Sequence, residues 1–202
     1  MNRRQMPAPR LAPLPPSPQL KDLFVPFEKS LGFIPNSALI MQRRPKILQA
    51  FSQLLGAING PEGELDRGFK RLLSHVASRA AGCRYCMAHT AGGALRFGVD
   101  EAKLAAVWEY RSSALYSEAE RVALDFALAA AAQPNEVTDD MFAGLRRHWN
   151  DGQVVEIVAV ISLFGFLNRW NDTMATPLEE EPIHVGEKFL AGHGWSAGKH
   201  LR

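Results

Sequence analysis

Cys83 and Cys86 are the only two cysteines of the 202-residue chain, and His89 follows them in the run Ala81-Gly82-Cys83-Arg84-Tyr85-Cys86-Met87-Ala88-His89-Thr90. Helical residues three apart share a face, with Cβ atoms roughly 5–6 Å apart, so these three side chains form one stripe. A disulfide accepts Cα atoms about 4.4–6.8 Å apart, so the same spacing allows the two sulfurs to be joined and parted. The stripe reads as a dithiol/disulfide couple with an imidazole beside it. The nucleophile in such chemistry is the thiolate, so the site must pull down a thiol pKa that starts at about 8.5. Cys83, next to Gly82 at the expected helix start, gains from unpaired backbone N–H groups and the positive helix end. Cys86 has His89 one turn on as a proton acceptor or ion-pair partner. On the residues alone either sulfur is a candidate nucleophile, and a buried, inert pair is the competing reading.

Cysteine and histidine are also metal-ligand types. A structural zinc site takes four ligands, and His148, His184, His193 and His200 offer no second ligand pair at a familiar spacing. A non-catalytic redox-sensing scaffold is a further alternative. No metal or cofactor is expected.

The elements that must position the stripe read as helices throughout. Ile47, Ala50, Phe51, Leu54 and Leu55 place one apolar side on a helix over Lys46 to Leu55. A second helix is predicted from near Leu65 to Ala81, stopped by Gly82, and the cysteine helix then runs to about Phe97 with Gly98 as its C-terminal cap. Asp100 is placed to cap a helix through Leu104 and Val107. Ser117-Glu118-Ala119-Glu120 has the form of a capping box ahead of Val122 to Ala132, and Pro134 ends that run. Thr138 or Asp139 starts a helix with Met141, Phe142 and Leu145, broken at Asn150-Asp151-Gly152. A last long helix covers roughly Gln153 to Trp170, apolar on most sides and so central. No short alternating run bounded by turns stands out as a strand, so the fold class is all-α. Leu72 to Cys86 and Val155 to Arg169 are weakly alike, consistent with a duplicated helical unit whose first copy alone carries cysteines.

The formal charge of +2 and pI near 8.6, with scattered Lys and Arg, do not describe a nucleic-acid or membrane surface. The apolar stretch from Val154 to Leu167 is interrupted by Glu156 and is shorter than the roughly 20 residues of a spanning helix. Residues 1–20 carry Pro7, Pro9, Pro13, Pro15, Pro16 and Pro18 and no continuous apolar core of a secretion signal. They read as an extended arm, disordered or laid across a neighbouring subunit, with 21–202 as one helical domain. The expected compartment is the cytoplasm, where a close thiol pair is catalytic or metal-binding more often than a permanent staple. The Glu179-Glu180-Glu181 run reads as a solvated loop before Pro182, and Asn168 and Asp172 as helix-end hydrogen-bonding groups.

These residues resemble the alkylhydroperoxidase D and carboxymuconolactone decarboxylase superfamily, in its peroxidase-related branch. The likeness is carried by Leu31-Gly32-Phe33-Ile34-Pro35-Asn36, by Ser78-Arg79-Ala80-Ala81-Gly82 leading into the cysteine run, by Ser117 to Arg121 and Val137-Thr138-Asp139, and by Phe166-Leu167-Asn168-Arg169-Trp170-Asn171-Asp172. The resemblance implies an alkylhydroperoxidase D-like helical bundle that assembles into dimers, trimers or hexamers. It implies a thiol peroxidase in which Cys86 attacks a hydroperoxide, Cys83 resolves the sulfenic acid as a disulfide, and an external dithiol or reductase resets the pair. A non-redox, decarboxylase-like reaction is the alternative within the superfamily. The chain departs from its relatives in two places. Many members have histidine where Thr90 stands, with His89 one residue earlier here, and the relay glutamate expected twelve residues before the first cysteine is Arg71. His75, one turn after Arg71 on the same helix face, is the candidate replacement as outer member of the proton relay, and Glu62, Glu64 and Glu156 are the other candidate acids. The catalytic set read from the sequence is therefore Cys83, Cys86, His89 and His75.

Overall fold

The computed structural model describes residues 9–201, which form ten α-helices and no strand. In chain order they are α1 (Lys21–Leu31), α2 (Asn36–Met41), α3 (Pro45–Asn59), α4 (Arg67–Ala80), α5 (Arg84–Arg96), α6 (Glu101–Ala105), α7 (Glu118–Ala131), α8 (Asp139–Arg146), α9 (Asp151–Met174) and α10 (Glu180–Phe189). The core is built around α4, which packs against α5, α7 and α9. Ten of its fourteen residues are buried, which is why its sequence carries apolar side chains on more than one stripe.

The local signals act as their chemistry dictates. Asp66 caps α4 by accepting from the Phe69 N–H at 2.8 Å. Ser117 and Glu120 close a reciprocal capping box at α7, and Asn150 and Gln153 do the same at α9. Of the two expected starts for α8, Thr138 is the cap, its hydroxyl accepting from the Met141 N–H at 3.2 Å. Asn150-Asp151-Gly152 is thus less a break than the start of α9, which runs 24 residues to Met174, four past the expected end.

That helix is long and apolar enough, by composition, to cross a membrane, contrary to the shorter stretch read from the sequence. Its Val154, Ile157, Val160, Ile161 and Phe164 face α4, α5 and α7 in the core. It passes through Gly165 without interruption, whereas Gly82 ends α4 at φ +69°, so the two blocks that look alike in sequence differ at this point.

Of the arm, residues 1–8 lie outside the described residues, and 9–17 lie against the protein's own surface. Buried Gln42 donates to the Leu14 and Pro15 carbonyls at 3.2 and 3.1 Å and accepts from the Ser17 N–H at 2.9 Å. Proline-rich backbone makes few bonds to itself, so it is held by groups beneath it, Arg43 also donating to the Ala12 carbonyl at 2.7 Å and the Arg10 N–H to the Met174 carbonyl at 3.2 Å.

Candidate active site

The turn between α4 and α5 places the cysteines. The Gly82 N–H donates to the Arg79 carbonyl at 3.0 Å and the Cys83 N–H to the Ser78 carbonyl at 3.1 Å, the paired closure of a helix that ends on a left-handed glycine. Cys83 therefore closes α4 and also caps α5, its Sγ accepting from the Cys86 N–H at 3.4 Å. Both cysteines are free thiols and both are buried.

Cys86 lines a cavity of about 70 Å³ whose walls are mainly apolar, with Phe27, Leu31, Phe51, Leu55, Phe164 and Leu167 among them. His89, Tyr85, Ser30, Ser37, Asn171, Thr90 and Arg71 supply its polar groups, while Cys83 does not line it. Asn171 donates from Nδ2 to Cys86 Sγ at 3.5 Å. Burial pushes the Cys86 thiol well up, the neighbouring Cys83 thiol pushes it further, and the Asn171 amide pulls the other way. At rest Cys86 is a protonated thiol that must lose its proton to react.

His89 shares the cavity with Cys86, and its Nε2 lies 2.6 Å from Glu179 Oε2. Tyr85 stacks on the imidazole with ring centroids 4.3 Å apart and donates its hydroxyl to Glu179 Oε1 at 3.0 Å. The Asn36 N–H donates to the same oxygen at 2.5 Å. Burial would raise the Glu179 carboxyl, but the charge and hydrogen bond of His89 and the Asn36 N–H outweigh it and hold the group below its ordinary value. Glu179 is a largely buried carboxylate at the N-cap of α10, not a member of a solvated loop.

His75 is elsewhere. It is fully buried in α4 and its Nδ1 lies 3.1 Å from both the Met87 carbonyl and the Thr90 hydroxyl. It does not line the cavity, and burial pushes its pKa down to about 4, so the ring is neutral. The other candidate acids are also distant in role. Glu156 pairs with the buried Lys70 ammonium at 2.6 Å, Glu64 accepts from the Asn150 amide at 2.8 Å, and neither they nor Glu62 lines the cavity. Cys83, Cys86 and His89 are thus gathered as their spacing suggests, while His75 is packed between helices. No group of three His, Cys, Asp or Glu side chains is gathered as a metal-binding set among the described residues.

Two site residues escaped the sequence reading. Asn171 carries a legible signal, because Phe164, Leu167 and Asn171 follow the spacing of one helix face and a lone amide on an apolar face is there to meet something. Glu179 carries none, since it is one of three consecutive glutamates and reaches His89 across 90 residues.

The carboxymuconolactone decarboxylase family matches residues 45–129. YnjA of Escherichia coli is 29% identical over 137 residues, covering 68% of this chain and 75% of YnjA. The structure of the debrominase Bmp8 in complex with 2,3,4-tribromopyrrole superposes with a TM-score of 0.84 at 35% identity, covering 89% of this chain and 96% of Bmp8. A peroxidase-related protein with the alkylhydroperoxidase D core, from Ralstonia eutropha, shares the fold with a TM-score of 0.73 at 23% identity, over 85% of this chain and 94% of its own. The chain belongs to the carboxymuconolactone decarboxylase family through residues 45–129 and shares the alkylhydroperoxidase D fold.

Proposed function

We propose that this protein is a dithiol-dependent reductase that acts on small hydroperoxides. The observation that carries the reading is the different exposure of the two sulfurs to one cavity: Cys86 lines it and Cys83 does not, its Sγ accepting from the Cys86 N–H. That arrangement favours Cys86 as the attacking sulfur and Cys83 as the resolving one.

The cycle balances as follows. The Cys86 thiol gives its proton to His89, one turn on. Nε2 of that ring lies against Glu179, which leaves Nδ1 as the nitrogen to take this proton in the proposed cycle. The thiolate attacks the terminal peroxide oxygen, the O–O bond breaks, and the leaving alkoxide takes the proton from His89 as an alcohol. Cys86 is then a sulfenic acid. Cys83 attacks its sulfur, water leaves, and the disulfide forms. Two electrons have passed from the pair to the peroxide, and an external dithiol returns them by exchange. The thiol supply that this step needs fits a cytoplasmic setting.

The small cavity also favours a small substrate. At about 70 Å³ it has roughly half the volume of a cavity of about 150 Å³ that takes benzene. A second reading is favoured by the likeness to Bmp8, a debrominase: the Cys86 thiolate takes a halogen from a ring carbon, that carbon takes a proton in its place, and halide leaves as Cys83 attacks the halogenated sulfur and closes the disulfide. A decarboxylation would leave the thiols without work.

Steady-state consumption of ethyl hydroperoxide and of hydrogen peroxide with dithiothreitol tests the reading. Activity is expected in the wild type, with loss of turnover in Cys86→Ser and in Cys83→Ser. Consumption that survives Cys86→Ser would reject it, and bromide release from a bromopyrrole without peroxide consumption would move the assignment to the second reading.

A further inference from the structure

A second chamber of about 160 Å³ adjoins the Cys86 cavity, and the two share Phe27, Ser30, Leu55 and Arg71 as lining residues. Its other polar groups are Arg67, Ser52 and Asn59. No aspartate or glutamate lines either chamber. Cations held next to apolar walls normally find a carboxylate, since an unpaired charge loses hydration without return. Here the Arg67 and Arg71 guanidinium groups instead lie over the Phe97 ring, 4.0 and 5.3 Å from its centroid. Arg71 is half-buried, and a Cβ added at Gly93 on α5 would come within 3.1 Å of its Cδ, so the bare glycine makes room for it. Two more polar atoms nearby, Ser52 Oγ and Asn59 Oδ1, are buried without a partner among the described residues.

We propose that the substrate carries an oxyanion, in the first place a carboxylate, that binds Arg71 and Arg67 in the second chamber while its reacting end lies against Cys86. This rests on the reading of Cys86 as the reacting sulfur and adds the substrate class: a small acid with an apolar body. Arg71 stands on the wall common to both chambers, so one molecule can meet the cation and the sulfur together. Burial and the Arg67 charge lower Arg71 only to about 10, so it remains a cation at neutral pH. Its donors can pair with both oxygens of a carboxylate. The Ser52 hydroxyl offers a further donor to the same group.

The test is a ligand-observed NMR titration of the reduced, full-length protein at pH 7 with hexanoate, hexanamide and hexyl phosphate. Hexanoate is expected to bind roughly 10–100-fold more tightly than hexanamide, the range of one hydrogen bond to a charged group. Arg71→Gln should bring the two ligands within about threefold of each other, with Arg71→Lys keeping part of the preference. Arg67→Gln, at an exposed position, gives the same test where Arg71→Gln does not fold, and a smaller preference is expected there too. Equal affinity for acid and amide in the wild type, or an unchanged ratio in folded Arg71→Gln, would overturn the proposal. Tighter binding of hexyl phosphate than of hexanoate would overturn the carboxylate assignment. No turnover enters the titration. A protein that forms its disulfide but ignores the acids refutes this inference alone, and one that prefers the acids but never forms a disulfide refutes the dithiol reading.

Discussion

His89 on α5 and Glu179 at the N-cap of α10 meet at 2.6 Å, and the Tyr85 hydroxyl and Asn36 N–H hold the far oxygen of the same carboxylate. The carboxylate lost upstream, where Arg71 stands, thus has a counterpart supplied from the other end of the chain. It sits behind the imidazole rather than beside the sulfur, which makes it a positioning residue in the proposed cycle.

Glu179→Gln should therefore slow peroxide turnover by roughly 10²-fold, the lower end of the range for losing acid–base assistance, with His89→Gln costing at least as much. Glutamine keeps the shape and the bond from Asn36, so the unfolding midpoint should barely move. The pH dependence of Cys86 alkylation by iodoacetamide should change in Glu179→Gln and return in part in Glu179→Asp. Unchanged alkylation and turnover would make the carboxylate a purely structural group.

Asn171 tests the sulfur directly. Its amide favours the thiolate, so Asn171→Leu should raise the midpoint of Cys86 alkylation against pH and slow the reaction at neutral pH by about tenfold, one pKa unit being tenfold in thiolate fraction. A midpoint that stays in place would remove Asn171 from the account.

The position of these two residues marks where sequence reading reaches its limit. Local signals are legible because they act over a few residues: Ser117 and Gly98 do in the structure what their neighbours demand of them, whereas Asn150, expected as a break, caps α9. The cysteine stripe is of the same kind, and Gly82 sets it between two helices. α1, α2 and α10 carry weaker marks, and each holds a wall or a carboxylate of the site. The spacing from Arg71 predicts His75 at the site, but helix rotation turns it into the contact with Met87 and Thr90 of α5. Which acid reaches His89 is decided by how α10 docks on α5, a long-range packing result that no local pattern encodes.

His75 has its own measurable consequence. Its folded value of about 4 lies below the ordinary 6.5, so the unfolded chain binds the proton first as the pH falls. The stability associated with the neutral ring is complete above about pH 6.5 and is lost as the pH falls through 4, up to about 3 kcal/mol. Chemical denaturation of His75→Gln against wild type should show a shallower decline of stability over that window. Equal slopes would mean that the ring is not held neutral.

The turn at Gly82 offers a paired test of the scaffold. Nothing lies within 4 Å of a Cβ built at Gly82, so Gly82→Ala pays only for its φ of +69°, about 1–2 kcal/mol. Gly165, inside α9 and equally open, should instead accept alanine with a gain of roughly 0.5–1 kcal/mol. Denaturant midpoints that move the same way in both would contradict this account of the turn.

Self-association is expected from the apolar side chains that α3 and α9 leave uncovered, Ile47 and Leu54 on one and Val155, Val158 and Phe166 on the other. Exposed apolar side chains at helical spacing on α9 are the kind of surface that a second copy would cover. Light scattering at low micromolar concentration should give at least a dimer, and Val155→Glu with Phe166→Glu should shift it towards monomer. A wild-type monomer would reject the expectation.

The dithiol cycle is tested most directly by a single turnover without external reductant. Fully reduced protein mixed with one equivalent of ethyl hydroperoxide should yield one equivalent of alcohol and one Cys83–Cys86 disulfide per chain by peptide mass mapping, and Cys83→Ser should stop at a sulfenic acid on Cys86. Alcohol formed while both thiols stay free, or a sulfenic acid on Cys83 in the Cys86→Ser variant at the wild-type rate, would contradict it.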